Sequence, residues 1–273
     1  MLTAAARALY REDPQPWVLD DTLALQLAGE AGTSILSMLR DRLSQDELMA
    51  FSRWVCVRSR VAEDLVERAL AEGVQQYVIL GAGLDSFAYR RVDLLDRLRV
   101  FEVDHPASQR WKRQRLEALS IQPPKRLVFA PVDFETQSLT DGLVASGFDV
   151  DSRAVFSWIG VTMYLTLDAI QKTLRAVASC AQGSRIVLTY NQPLSALDGF
   201  SRTVTGALAN ALGQAGEPFI SLFTPDEARA LLTEQGFRDL RDYGPDEARL
   251  DFFQGRGNVL IAGAQRVLIG TVT

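Results

Sequence analysis

Residues 76–90 read QYVILGAGLDSFAYR. The first five are apolar or β-favouring, and the run stops at Gly81-Ala82-Gly83 before a short helix-competent stretch. Glycines at a strand end let the backbone approach a ligand closely and present its N–H groups. A Gly-x-Gly turn alone is a common tight turn. It gains meaning from RVFEVD at 99–104, a second strand in which Asp104 stands 21 residues after Gly83. That is close to the ~20 at which a carboxylate meets ribose hydroxyls in adenosine-binding α/β folds. A carboxylate only accepts hydrogen bonds, so it selects a diol over a 2′-phosphate. Glu102 is a second acid on the same strand.

Upstream, the first ~75 residues read as helices, around 20–28, around 45–50 and over 51–71, with Gly73 as the stop. Downstream, strands and helices alternate. His105-Pro106 opens a helix to about 119, with proline in its preferred first turn. Strands follow at 126–130, 154–158 and 185–190. Between the last two, a helix runs from Thr166 as N-cap to Gly183 as stop. Continuous apolar strands separated by helices imply a parallel sheet covered on both faces. The alternation then breaks at an insertion with helical content, residues 194–216. Thr224-Pro225-Asp226-Glu227 carries a capping box for one more helix. Strands at 237–243 and 258–265 come last, joined only by turn residues, and so should pair antiparallel.

The composition bounds the function. The chain has 273 residues, 47% hydrophobic and 23% charged, with a net charge of −5. This is ordinary for a globular protein with one sizeable core and excludes a disordered or disulfide-stapled chain. The acidic balance argues against nucleic acid or an anionic membrane as partner. No apolar run approaches a membrane span and the start is not a secretory signal, so a cytoplasmic location is expected. Cys56 and Cys180 read as buried free thiols, and one histidine with two cysteines offers no metal-ligand spacing. No metal is expected. The basic run Arg110, Lys112, Arg113, Arg115 reads as a solvated helix face.

Two adenosine ligands fit the glycine turn, a dinucleotide and S-adenosylmethionine. Ser86 stands where a dinucleotide fingerprint needs its third glycine, and Asp85 would repel a pyrophosphate but favour a sulfonium. The long helical leader and the closing antiparallel pair also suit a methyltransferase sheet better than a dinucleotide fold, which would add a sixth parallel strand. The expected fold is therefore α/β, a Rossmann-like class I methyltransferase. Its seven-stranded, mostly parallel sheet has an antiparallel last strand and an N-terminal helical cap over 1–75. One domain spans 1–273, with the core over 76–273. An NAD-dependent oxidoreductase and a non-catalytic nucleoside-binding protein on the same fold are the alternatives.

Five segments in consistent order resemble the leucine carboxyl methyltransferase family and its bacterial relatives, several of which act in natural-product pathways. They are YVILGAGLDSFAYR (77–90), FEVDHPASQRWK (101–112), FAPVDFE (129–135), FSWIGVTMYLTLDAI (156–170) and VRSRVAEDLV (57–66). The resemblance implies S-adenosylmethionine as cofactor and O-methyl transfer to a small molecule or a peptide C-terminus. It implies Arg58 on the methionyl carboxylate and Gly81 and Gly83 along the methionyl part. Asp104 would lie on the ribose with Glu102 nearby, and Asp133 and Phe134 at the adenine. Two departures stand out. Ile159 precedes Gly160 where many relatives carry Glu, and Arg60 and Glu63 replace an aromatic and an Asp.

Methyl transfer from a sulfonium is an in-line displacement, so positioning and water exclusion dominate. A carboxylate nucleophile is ionised at neutral pH and needs no base; a phenol or alcohol gains from one. His105 adjoins Asp104 and reads as a helix-start residue, which favours a carboxylate acceptor. Substrate contacts are expected from the cap and the insertion, with Tyr10, Trp17, Tyr164, Tyr190, Asn191, Phe200 and Arg202 as candidates.

Overall fold

The computed structural model describes residues 1–134, 136–214 and 218–273. Three helices lead: α1 (Leu2–Leu9), α2 (Ala24–Arg42) and α3 (Gln45–Ala71). Next come β1 (Gln76–Leu80), α4 (Phe87–Arg90), β2 (Arg99–Asp104), α5 (Pro106–Ala118), β3 (Leu127–Pro131), α6 (Leu139–Ala145), β4 (Ala154–Trp158), α7 (Leu167–Ala178) and β5 (Arg185–Asn191). The remainder holds α8 (Gly199–Gln214), α9 (Pro225–Glu234), β6 (Phe237–Tyr243), α10 (Pro245–Phe252) and β7 (Gln265–Val272).

The seven strands lie in the order β3-β2-β1-β4-β5-β7-β6. Pairs from β3 through β5 are parallel, and β7 runs antiparallel to both β5 and β6. This is the class I methyltransferase sheet with helices around it. The strand order reverses direction between β1 and β4, so ligands belong at their C-terminal ends. β1 and β4 are buried along their whole length, as the unbroken apolar runs require.

Several expectations shift. The stretches 45–50 and 51–71 form one helix, started by a Ser44 capping box with Glu47. The first residues are α1, whose Ala4, Ala5 and Ala6 are fully buried. The helix after Thr166 ends at Ala178, and Gly183 serves the turn into β5 instead. The last strand is Gln265–Val272, not 258–265. In that earlier stretch the Ala262 N–H donates to the Ala50 carbonyl on α3, and Leu260 O accepts from Arg53, so its apolar residues pack on the cap. Between β6 and β7 stands α10, begun by Pro245 and Glu247. The insertion is helical as expected, as α8; its end at 215–216 lies outside the described residues. Cys56 is buried but Cys180 only partly so, and both are free. Among the described residues no helix is long and apolar enough to cross a membrane.

Candidate active site

At the C-terminal ends of β1 and β4 a cavity of about 210 Å³ is lined by the 79–85 turn, by Arg58 and Glu63 of α3, by Ile159, Gly160, Val161 and Tyr164, and by Met1, Leu2, Thr3 and Arg7. Two glycines make the enclosure possible. Gly81 has φ +66°, and a Cβ there would stand 2.6 Å from Val161 Cγ2. Gly160 has φ +76°, and its Cβ would stand 3.1 Å from the Arg58 guanidinium. Both backbones thus reach positions that other residues cannot occupy without strain.

Asp104, at the end of β2, accepts from the Gly83 N–H and, at 2.7 Å, from the His105 N–H. An open trough beside the cavity is lined by Gly81, Gly83, Asp104, Ser108, Val161, Tyr164, Pro218 and Ile220. Val132 N–H donates to Asp104 O at 2.9 Å, which brings the Asp133-Phe134 turn to the neighbouring strand end. There Thr136 Oγ1 donates to Asp133 Oδ2 at 2.9 Å, and Phe134 packs against the core. His105 is the N-cap of α5, its Nδ1 accepting from Ala107 N–H.

Asp85 lines the cavity, and its Oδ1 accepts from Phe87 N–H at 2.7 Å. Glu102 does not line it. That side chain is fully buried beneath the turn and pairs with Lys112 Nζ at 2.6 Å. Lys112, 1% exposed, also donates to Asp85 O at 2.7 Å. It therefore leaves the solvated face expected for its run and fastens the glycine turn to β2 and α5. Burial pushes the Glu102 carboxyl up to about 7, with Lys112 pulling it back.

Arg58 is 5% exposed and donates through NH1 to Gln265 Oε1. Its Nε–H has no partner, and among the described residues no carboxylate stands within ion-pair distance of it. Burial and the nearby Arg7 lower its pKa to about 10. Glu63, the obvious acid on the same helix, is taken by Arg90 at 2.5 Å. Arg7 ties α1 to the turn, donating to Asp21 and to Leu84 O at 2.7 Å each, while Ser86 Oγ donates to Asp21 at 2.6 Å.

A second chamber of about 70 Å³ shares Leu2, Thr3, Arg58, Gly160 and Tyr164 with the first. Of the substrate candidates, Tyr164 and Asn191 line it. The others do not. Tyr10 is core inside the cap, its OH accepting from Val18 N–H and its pKa pushed up to about 12 by burial. Trp17 packs on that same cluster and donates to Asp13 O. Tyr190 is buried and donates to Asp242 on β6. Phe200 packs on the cluster between cap and insertion, and Arg202 braces Leu194 O and Leu197 O. Sequence reasoning missed α1, Arg7, Trp54 and Gln265. The buried alanine face of α1 was the available signal; nothing local marks Gln265.

The leucine carboxyl methyltransferase family model matches residues 1–178. YktD of Bacillus subtilis, named for S-adenosyl-L-methionine-dependent methyl transfer, is 31% identical over 96% of this chain and 93% of its own length. Rv1896c of Mycobacterium tuberculosis, named likewise, is 32% identical over 69% of this chain and 62% of its own. A crystallised protein from Thermobifida fusca, titled as a methyltransferase, shares the fold with a TM-score of 0.66, 14% identity, and coverage of 99% of this chain and 94% of that one.

Proposed function

The chain belongs to the leucine carboxyl methyltransferase family and is an S-adenosylmethionine-dependent methyltransferase, and from that premise we propose that it methylates a carboxylate oxygen, in natural-product or other small-molecule metabolism. In this reading residues 1–273 are one catalytic domain with 1–75 as its cap.

The observation that carries the reading is Arg58. A buried cation without a counter-anion costs several kcal/mol, and a guanidinium suits a carboxylate. The methionyl carboxylate of the donor would complete it. Gly81 and Gly83 offer backbone to the methionyl chain, and Asp85 places a negative charge on the same wall. Asp104 keeps lone pairs for a ribose diol beyond the two N–H groups it already holds. Asp133 and Phe134 would flank the adenine. Glu102 acts one layer below, through Lys112, as the support of the turn.

When bound, S-adenosylmethionine supplies an electrophilic methyl group on a sulfonium. The chain's residues hold the acceptor in line and exclude water, which Leu2, Thr3 and Ile159 do by walling the cavity. A carboxylate, ionised at neutral pH with a pKa of ~4, needs no base. No histidine lines either chamber.

Calorimetry with S-adenosylhomocysteine and with NAD tests the assignment. Binding of the homocysteine nucleoside and none of NAD is expected; binding of NAD alone would sink it. Incubation with methyl-labelled donor and cell extract should yield a base-labile methyl ester, whereas a base-stable product would remove the carboxylate.

A further inference from the structure

The second chamber has apolar walls: Phe51 and Trp54 of α3, Met163, Val204 and Leu208 of α8, and Phe219. Its floor is a directed hydrogen-bond chain. Arg58 can only donate, so Gln265 turns its Oε1 to the guanidinium. Gln265 Nε2 therefore donates to Asn191 Oδ1, at 2.8 Å. Asn191 is left with its NH₂ as the donor end of the chain. Two more donors on lining residues, Arg58 Nε and Trp54 Nε1, are buried without partners. Among the described residues no Asp or Glu lines the chamber. An apolar pouch whose floor offers N–H donors takes a ligand with an apolar body and an electron-rich oxygen.

We propose that this chamber holds the methyl acceptor, and that the acceptor is a small apolar monocarboxylate held by Asn191 Nδ2–H on one carboxylate oxygen. This rests on the methyltransferase reading and names its substrate class. The second carboxylate oxygen attacks: its lone pair forms the O–CH₃ bond as the S–CH₃ bond breaks, and that pair stays on sulfur. Carboxylate and sulfonium charges cancel, leaving a neutral ester and thioether with no proton to place. Asn191 is the residue that touches the acceptor. Gln265 is a positioning residue that fixes which end of Asn191 faces it, and Arg58 sets the direction of both.

The test is calorimetric titration of the full chain, saturated with S-adenosylhomocysteine, using benzoate and hexanoate as probes and benzylamine and hexylamine as controls. Both acids should bind and neither amine should. Asn191→Leu should weaken acid binding at least tenfold while S-adenosylhomocysteine affinity stays within twofold. Gln265→Glu, nearly isosteric, cannot donate to Asn191 and puts a negative charge in the floor; it should also cost at least tenfold for the acids. Unchanged acid binding in both variants, amines binding as well as acids, or no acid binding to a protein that does bind S-adenosylhomocysteine would each overturn the proposal and leave the methyltransferase reading standing. Failure to bind S-adenosylhomocysteine would bring down both.

Discussion

The two chambers share one wall yet are built by opposite means. The donor side rests on backbone: a glycine turn at the end of one strand, and Asp104 at the end of the next. Charge surrounds it, with Arg7, Asp21, Glu63, Arg90, Glu102 and Lys112 paired around or beneath the turn. The acceptor side rests on side chains, apolar from separate segments of the chain and closed by a hydrogen bond across 207 positions, Arg58 to Gln265. A ligand common to a whole fold can be met by backbone, which contiguous motifs encode. A ligand particular to one enzyme is met by side chains that only the tertiary fold brings together.

The sharpest way to break this contrast is Lys112→Met. It leaves Glu102 buried and unpaired, which costs about 3–5 kcal/mol. Denaturant unfolding should show that loss, and Lys112→Met with Glu102→Leu should regain most of it. Donor affinity should fall with the turn's support, while acid binding in the second chamber holds. Arg58→Ala should instead touch both sides, weakening S-adenosylhomocysteine by about 1.5–3 kcal/mol, with only partial rescue by Arg58→Lys, which lacks the planar fork. Calorimetry that found the acceptor side unaffected would separate the chambers.

A second effect on stability is read from pH. Burial raises the Glu102 carboxyl from 4.5 to about 7. Across that window the folded chain keeps a proton that the unfolded chain has released. Stability from this group therefore falls as pH rises from about 4.5 to 7 and is level above, by at most about 1.4 kcal/mol per pH unit. Glu102→Gln should remove that slope from a series of Tm values. Smallest is Tyr10→Phe, a loss of about 0.5–1.5 kcal/mol for one hydrogen bond. It should leave both chambers unchanged in calorimetry, as befits a cap-core residue.

The parts of the molecule that were legible follow the same division. β1 and β4 lie where their apolar runs place them, because a strand buried on both faces has few other readings. The glycine turn and Asp104 meet as their spacing implies. Residues 258–265 misled because burial against α3 leaves the same apolar composition as burial in a sheet. Lys112 misled because its neighbours Arg110 and Arg113 do face solvent, and nothing in one helix turn says which cation meets an acid on the next strand. Of the aromatic candidates in the cap, Tyr10 and Trp17 were drawn inward by ordinary packing.

The position of β7 between β5 and β6 sets a timetable. A chain leaving the ribosome can pair β1 to β5 as they emerge, but β6 has no neighbour until the final eight-residue strand slots in beside it. Gln265 opens that strand, so the Arg58 guanidinium waits for its partner until 207 further residues have been synthesised. Nascent chains arrested before that point would carry the donor's backbone cradle and lack the floor on which the second ligand rests.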